Sequence, residues 1–403
     1  MKMIKRESYL ASISPFIDQD LIKVLIGIRR CGKTILLSQV KDIILSNGVP
    51  AENIIEINFE SRKYAKLKDP DTLYQYISEK AERLSGKIYL FLDEIQRVKE
   101  WHSVIPSFRV DFDCDIYVTG SNSKLLSGDL ATYMAGRYVA FHIYPFTLAE
   151  IQKFCELNQI TYTREQLFTD YLKYGGMPMR LMLPDDHSIK TYLNDLYESI
   201  VINDIVNKNP GEIRNDDLLR RILVFLLDNI GNPFSARSIC RSINADGRST
   251  SIETVINYVD KLLAGQIISK CGRYDIKGKN LLTTTEKYYA GDIGLRNETK
   301  SSEQVDASKL YENIVYLEML SRGYEIKVGK LDDLEIDFVC YRGKERLYIQ
   351  VAYALTSDCV EREFGNLEKI ADNYPKYVIS GDLIDMSRNG IIQKNIIDFL
   401  LDK

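Results

Sequence analysis

The chain has 403 residues, of which 53 are Lys or Arg and 57 are Asp or Glu. This length predicts two or three domains, and a net charge of −4 excludes a uniformly basic surface, so nucleic-acid binding would need a local patch. The seven cysteines form no C-x-x-C pair, which argues against a zinc knuckle, and their odd number argues against a disulfide framework. Both points predict a cytoplasmic location. The N-terminus has no signal-peptide core and the sequence has no run of 18 apolar residues, so we expect no transmembrane helix, and no feature calls for a membrane as partner.

Short apolar runs alternate with helical patterns over residues 1–145, which we assign to the first domain. Helices are predicted around residues 34–40 and 73–84. The predicted strands cover residues 21–26, 54–59, 87–92, 115–119 and 138–144. Alternating strands and helices predict an α/β domain with a parallel sheet in three layers.

Residues Gly27–Thr34 read G-I-R-R-C-G-K-T, which matches the phosphate-loop pattern G-x-x-x-x-G-K-[ST] between a predicted strand and a predicted helix. Backbone N–H groups of such a loop and the helix N-terminus bind phosphate oxygens, so the pattern predicts ATP binding. Lys33 is expected to reach the β- and γ-phosphates and to act in catalysis, and Thr34 is expected to bind Mg²⁺. The predicted nucleotide-binding residues are Gly27, Ile28, Arg29, Arg30, Cys31, Gly32, Lys33, Thr34 and Ile35.

Two acidic residues, Asp93 and Glu94, follow the apolar strand predicted over residues 87–92. A carboxylate there emerges at the carboxyl edge of the sheet, where ligands bind in such folds. Asp93 is therefore predicted to bind Mg²⁺ with Thr34, and Glu94 to polarise the attacking water. The alternative is that both acids only cap the following helix.

Polar residues also follow the strand predicted over residues 115–119. Asn122 is predicted to sense the γ-phosphate and to act in catalysis, with Ser121 as the second choice. An ordinary helix cap is an equally good interpretation of both. Arg137 is a candidate arginine finger, in cis or, in a homo-oligomer, in trans, and a solvated surface arginine is the alternative.

The pattern changes after residue 145. Residues 146–206 are mostly helical, and residues 213–298 combine three helices, predicted over 218–227, 235–242 and 251–263, with paired strands over 267–270 and 287–290. This order predicts a winged helix-turn-helix. Residues 236–290 carry nine Lys or Arg and five Asp or Glu, which makes this part a candidate DNA-binding surface. The helix over 251–263 has no Arg or Asn near its start to contact bases, so a protein-binding or interdomain role is the alternative.

The last part, residues 299–403, contains a predicted helix over 309–322 and another over 391–401. The predicted strands lie between them, over residues 325–330, 336–341, 346–353 and 376–379.

Several stretches occur together in one order: G-I-R-R-C-G-K-T, F-L-D-E-I-Q, T-G-S-N-S-K-L-L-S, H-I-Y-P-F-T-L-A-E-I, Y-G-G-M-P and K-Y-Y-A-G-D-I-G-L-R. Over roughly residues 8–355 the chain resembles prokaryotic AAA-type P-loop ATPases that carry a C-terminal domain of unknown function. The resemblance implies an ASCE-type core (1–145), a helical lid (146–212), a winged helix (213–298) and a restriction-endonuclease-like PD-(D/E)XK α/β domain (299–403).

Active nucleases of that fold hold a metal with acids on a helix and two strands, the last within an E-x-K motif. Glu312 and Asp337 match the first two positions, whereas Gln350-Val351-Ala352 replaces E-x-K. Gln350 lacks the charge of a metal-binding carboxylate, and Ala352 cannot activate water, so we expect an inactive nuclease-like domain.

These features favour an Mg²⁺-dependent ATPase that couples its nucleotide state to movement of the C-terminal domains. The alternative is a nucleotide-gated module that binds DNA or protein with little turnover. No pattern in the sequence identifies a protein partner.

Overall fold

The computed structural model describes residues 1–121, 136–207, 209, 211–213, 215–245, 249–299 and 307–402. The chain forms two compact units, Met3–Tyr144 and Met1–Lys2 with Pro145–Lys403. Within the described ranges, none of the helices has the length and apolar character needed to span a bilayer.

The first unit is built on a five-stranded sheet in which every pair of neighbours is parallel. Its strands are β1 (Ile22–Ile26), β2 (Ile54–Asn58), β3 (Ile88–Asp93), β4 (Cys114–Gly120) and β5 (Tyr138–His142), in the order β2-β3-β4-β1-β5. The helices among its described residues are Glu7–Ile13, Lys33–Ser46, Pro70–Ala81 and Trp101–Asp111, with short 3₁₀ helices at Ser14–Phe16, Ala51–Asn53, Arg62–Lys68 and Ile95–Arg97. The predicted parallel α/β fold of this part is confirmed.

Strands β1 and β3 are buried along their whole length. Continuous apolar strands of this kind are typical of parallel sheets that are covered on both faces. Strand β4 lies between β1 and β3, so the phosphate loop after β1 and the acids after β3 emerge two strands apart at the same edge.

A buried ion pair joins β1 to β4. The Lys23 ammonium contacts Asp115 Oδ1 and donates to the Gln19 carbonyl at 2.8 Å, and both charged side chains are almost fully buried. Asp115 Oδ2 accepts from the Tyr117 hydroxyl at 2.8 Å and from the Asp18 amide at 2.9 Å. Burial lowers the pKa of Lys23, and the attraction of Asp115 opposes that shift. Each charged group of the pair thus has at least one further hydrogen-bond partner, which helps to offset the cost of burying it.

The second unit begins with helices at Leu148–Leu157, Arg164–Tyr174, Asp186–Ser199 and Asp216–Asp228, with a 3₁₀ turn at Pro178–Met182 and a π-helix at Ile200–Val206. The further helices are Ala236–Ala245, Ile252–Ala264, Ile293–Glu298, Ala307–Ser321, Ser357–Glu368 and Ile396–Leu401. Ser235 and Ser251 each accept a backbone N–H three residues ahead through their hydroxyls, which explains why two of these helices begin where they do.

One eight-stranded sheet runs through most of the second unit, in the order β13-β12-β11-β10-β9-β7-β8-β6. Its strands are β6 (Pro233–Phe234), β7 (Ile268–Asp275), β8 (Asn280–Ala290), β9 (Glu325–Leu331), β10 (Leu334–Arg342), β11 (Glu345–Val351), β12 (Lys376–Ser380) and β13 (Ile391–Asn395). The hairpin β7–β8 joins the later strands because Arg273–Asp275 pairs in parallel with Val328–Lys330. Strands on both sides of the predicted boundary at 298/299 therefore belong to one continuous sheet. The division into lid, winged helix and nuclease-like domain stays a prediction.

The prediction of a single helix over residues 391–401 is wrong. Ile391–Asn395 is a strand parallel to β12, and only Ile396–Leu401 is helical. Ile391 and Gln393 are buried whereas Ile392 is exposed, which is the period of two expected of a strand. Asn395 ends the strand and caps the helix, since its side-chain oxygen accepts the Ile397 amide at 2.9 Å.

Candidate functional site

The phosphate loop connects β1 to the helix Lys33–Ser46. A Cβ atom on Gly27 would lie 2.2 Å from the Ile143 carbonyl oxygen and 2.8 Å from the Cys31 sulfur, so only glycine fits there. Gly32 precedes the helix at a φ of 105°, which glycine adopts without steric cost. The backbone requirements of the loop thus explain both glycines of the motif.

The Lys33 side chain points back into the loop. Its ammonium donates to the carbonyls of Gly27 at 2.8 Å and Ile28 at 3.1 Å, and the residue is only 5% exposed. A strongly charged anion such as a phosphate would compete with these neutral carbonyls for the ammonium. Lys33 is also the first residue of the helix, whose N-terminal amides attract anions as well.

Asp93 lies at the end of β3 and accepts three side-chain hydrogen bonds. The Thr34 hydroxyl donates to Asp93 Oδ2 at 3.0 Å, and the Asn58 amide donates to the same oxygen at 2.9 Å. The Thr119 hydroxyl donates to Asp93 Oδ1 at 2.5 Å. Both residues predicted to bind Mg²⁺ thus touch each other at the carboxyl edge of the sheet. A carboxylate next to a hydroxyl supplies the hard oxygen ligands that Mg²⁺ prefers, so these residues fit the ion.

Glu94 follows directly and has a left-handed backbone, with a φ of 58°. Its amide donates to the Thr119 hydroxyl at 2.9 Å, and its carboxylate accepts from the Gln96 side-chain amide. A non-glycine residue in this conformation carries strain on the order of 1–2 kcal/mol, a kind of strain that is common at functional sites. Thr119 thus connects the two predicted acids through one hydroxyl.

The predicted sensor Asn122 lies outside the described residues, and Ser121 is buried directly after β4. Arg137 is exposed and precedes β5, and its carbonyl accepts the Ile22 amide at 2.9 Å. Because β1 and β5 are parallel and Ile22 lies opposite Tyr138, Arg137 lies at the sheet edge where these strands begin. The phosphate loop follows the other end of β1, about 16 Å away by the rise of five strand residues. This position does not support a cis arginine finger, and the trans role stays a prediction.

Four residues of this region escaped the sequence analysis as individual contributors. Thr119, Asn58 and Gln96 bond to the two acids, as described above. The fourth, Arg6, is 2% exposed and donates to the Cys31 carbonyl in the loop at 3.3 Å. Their position as polar residues at strand ends could have indicated Asn58 and Thr119, whereas no local pattern points to Arg6.

Several basic residues of the candidate DNA-binding surface are already paired with acids. Lys270 lies 3.1 Å from Glu286, and Lys277 lies 2.6 Å from Asp332. The basic residues of 236–290 in ion pairs include Lys261, Lys270, Arg273, Lys277 and Lys287. Less positive charge is therefore left for phosphates than the composition suggested.

The residues that match nuclease positions lie together in the second unit. Gln350 bridges two acids, since its oxygen accepts the Asp337 amide and its nitrogen donates to Glu363, each at 2.6 Å. Asp337 Oδ2 accepts the Val351 amide at 2.9 Å. Across the described part of the chain, no group of three or more His, Cys, Asp or Glu side chains is arranged to hold a metal ion.

Comparison with known proteins gives two family matches. Residues 19–152 match the AAA domain family, and residues 165–306 match a domain of unknown function (DUF8612). An uncharacterized protein of Haemophilus influenzae is 38% identical over 400 residues, which cover 99% of each chain. An uncharacterized protein of Methanocaldococcus jannaschii is 29% identical over 360 residues, which cover 86% of this chain and 78% of that one.

Among solved structures, a Walker-type ATPase of Pyrococcus abyssi is similar in fold. The alignment covers 74% of this chain and 96% of that one, with a TM-score of 0.51 and 14% sequence identity. At this identity the likeness concerns the fold alone, and it agrees with the parallel five-stranded sheet.

Proposed function

The chain belongs to the same family as the Haemophilus influenzae protein and carries an AAA domain at residues 19–152, and on this premise we propose that it hydrolyses ATP with Mg²⁺. The observation that carries the proposal is the contact of the Thr34 hydroxyl with Asp93 Oδ2 at 3.0 Å. This contact brings a metal-binding pair to the helix terminus that also carries Lys33. Phosphoryl transfer requires backbone amides that bind the phosphates, a cationic side chain such as Lys33, and ligands for the metal ion.

In the proposed reaction, Lys33 leaves the carbonyls of Gly27 and Ile28 and binds the terminal phosphates. Bound Mg²⁺, held by Thr34 and Asp93, would supply neutralisation of phosphate charge. Glu94 accepts the proton of the attacking water on its carboxylate, one oxygen of which, Oε2, accepts the Gln96 amide. Asn122 is proposed as the γ-phosphate sensor from its place in the sequence, after β4.

We also propose that the nucleotide state controls the C-terminal part of the chain. Support comes from the relatives, because both the bacterial and the archaeal protein match this chain across the AAA domain and well beyond it. Retention of both parts in one chain favours a joint function. Hydrogen exchange of residues 307–402, measured with ATP and with ADP, tests this: different protection is expected, and equal protection would contradict the coupling.

The experiment on hydrolysis measures ATP binding and phosphate release for matched variants. Lys33→Ala is expected to lose binding and turnover. Glu94→Gln is expected to bind ATP while turnover falls about 10²–10⁴-fold, the usual contribution of a general base. Lys41→Ala is the control, because Lys41 lies on the same helix and pairs with surface Glu56 at 2.7 Å.

Lys41→Ala should therefore behave like the wild type. Absence of ATP binding in the wild type would refute the proposal. Turnover of Glu94→Gln equal to that of the wild type would refute the role of Glu94. Tight binding with no turnover would instead favour a nucleotide-gated binding module.

A further inference from the structure

Three carboxylates in the second unit converge on one buried lysine. The Lys287 ammonium lies 2.9 Å from Glu312 Oε1, 2.9 Å from Glu335 Oε1 and 3.8 Å from Asp337 Oδ1. The lysine belongs to β8, Glu312 to the helix Ala307–Ser321, and the other two acids to β10. The ammonium thus joins three separate elements at one point.

This lysine is well shielded from solvent, with 3% of its surface exposed. Burial lowers the pKa of Lys287, but the charges of Glu312, Asp337 and Glu335 outweigh burial and raise it overall. The side chain is therefore an ammonium at neutral pH.

Each of the three carboxylates is also fixed by a second donor. The Tyr289 hydroxyl donates to Glu312 Oε1 at 2.6 Å, and Arg273 donates to Glu335 Oε2 at 2.8 Å. The Asp337 carboxylate accepts the Val351 amide at 2.9 Å. The acids are therefore held in a defined arrangement around the ammonium.

Carboxylates that are brought together in a partly buried cluster need a cation between them, because their mutual repulsion and desolvation are otherwise not offset. Either a divalent metal or an ammonium group can fulfil this need. The nuclease-like fold inferred from the sequence would use a metal, but the residues present do not fit one. Lys287 Nζ already lies among the acids, and Gln350 replaces a carboxylate and is engaged with Asp337 and Glu363.

We propose that Lys287 is the resident cation of this site. Its ammonium takes the position that a divalent metal would need among Glu312, Glu335 and Asp337. The wild-type cluster accordingly binds no divalent ion, and it fastens β8 to the helix Ala307–Ser321 and to β10 through charge contacts. The present spacing of the three acids suits the ammonium, and removal of the ammonium lets them close around a divalent cation.

The test is Mn²⁺ binding to the full chain without nucleotide, measured by electron paramagnetic resonance, together with Tm as a function of Mn²⁺ concentration. The wild type is compared with Lys287→Ala, with Lys287→Ala/Asp337→Asn, and with the control Lys270→Ala, which removes an exposed lysine from the same hairpin. Lys287→Ala is expected to gain a Mn²⁺ site and a Mn²⁺-dependent rise in Tm. The double variant and the control are expected to gain neither.

A folded Lys287→Ala protein without an added Mn²⁺ site would overturn the proposal. The wild type provides a second test that does not depend on the folding of that variant. We expect its Mn²⁺ binding to be unchanged by Asp337→Asn. Wild-type binding that is lost in Asp337→Asn, or plasmid nicking with Mn²⁺ that is lost in Asp337→Ala, would show a metal in the place assigned to the lysine.

Discussion

The hydroxyl group of Thr119 offers a direct test of how Asp93 and Glu94 are positioned in the candidate site of the first unit. It donates to Asp93 Oδ1 at 2.5 Å, accepts the Glu94 amide at 2.9 Å, and is fully buried. Thr119→Val keeps the shape and the β-branch of the side chain but removes the hydroxyl. Thr119→Ser keeps the hydroxyl and removes only a methyl group, so it is the matched control.

The expected size of the effect follows from these two bonds. A hydrogen bond to a charged group contributes about 1.5–3 kcal/mol, and the orphaned Glu94 amide adds a desolvation cost of about 1–3 kcal/mol. We expect part of this loss as lower stability. The remainder is expected as poorer orientation of Asp93. Loss of a group that hydrogen-bonds to a metal ligand typically reduces the metal affinity about 10–100-fold.

The assay is ATP turnover as a function of Mg²⁺ concentration, with thermal unfolding measured on the same samples. Thr119→Val is expected to need about 10–100-fold more Mg²⁺ for half-maximal turnover, while Thr119→Ser stays close to the wild type. If Thr119→Val were folded and had the Mg²⁺ requirement of the wild type, Asp93 would not be the carboxylate that binds the metal.

Four further predictions concern other parts of the chain. Gly27→Ala is expected to abolish ATP binding measured by calorimetry, because its Cβ would lie 2.2 Å from the Ile143 carbonyl oxygen; normal binding would show that the loop is built differently. Lys23→Met is expected to lower the free energy of unfolding by about 3–5 kcal/mol, since it leaves the buried Asp115 charge uncompensated, whereas a loss below about 1 kcal/mol in denaturant titrations would contradict the buried pair. Burial raises the pKa of Glu318 although Arg322 opposes the shift, so the folded state keeps the Glu318 proton above the ordinary Glu pKa of about 4.3. As pH rises from that value, the wild type is expected to lose free energy of unfolding relative to Glu318→Gln, by at most about 1.4 kcal/mol per pH unit. Parallel plots of unfolding free energy against pH for the two proteins would refute this. Duplex DNA binding through residues 236–290 is expected to be weak, with a salt slope no steeper than about −3 if the exposed Arg237, Arg241 and Lys279 carry it, and a much steeper slope would point to a larger surface.

The first unit could be predicted well from the sequence because its signals are local. An apolar run followed by Gly27 and Lys33 specifies strand, loop and helix within a few residues. The support of Asp93 by Asn58 and Thr119 could not be predicted with the same certainty. It depends on which strands are neighbours in the sheet, and strand order is set by long-range packing.

Long-range pairing also explains what was missed in the second unit. The parallel contact of Arg273 with Val328, which joins the hairpin to the later strands, leaves no mark in either segment alone. Residues 391–401 contain enough isoleucine and leucine to suggest a helix, and the neighbouring strand β12 decides that the first five form a strand. The sequence shows Lys287 only as one of nine basic residues in 236–290, because the acidic residues that contact it lie 25 to 50 positions later in the chain.

The most direct measurement of the central claim is a crystal structure of the chain with Mg²⁺ and a non-hydrolysable ATP analogue. We predict a triphosphate against the amides of Gly27–Thr34, the Lys33 ammonium moved from the loop carbonyls to the phosphates, and Mg²⁺ between Thr34 and Asp93. An analogue bound elsewhere, or a loop that stays empty with Lys33 still on Gly27 and Ile28 at saturating ligand, would contradict the account.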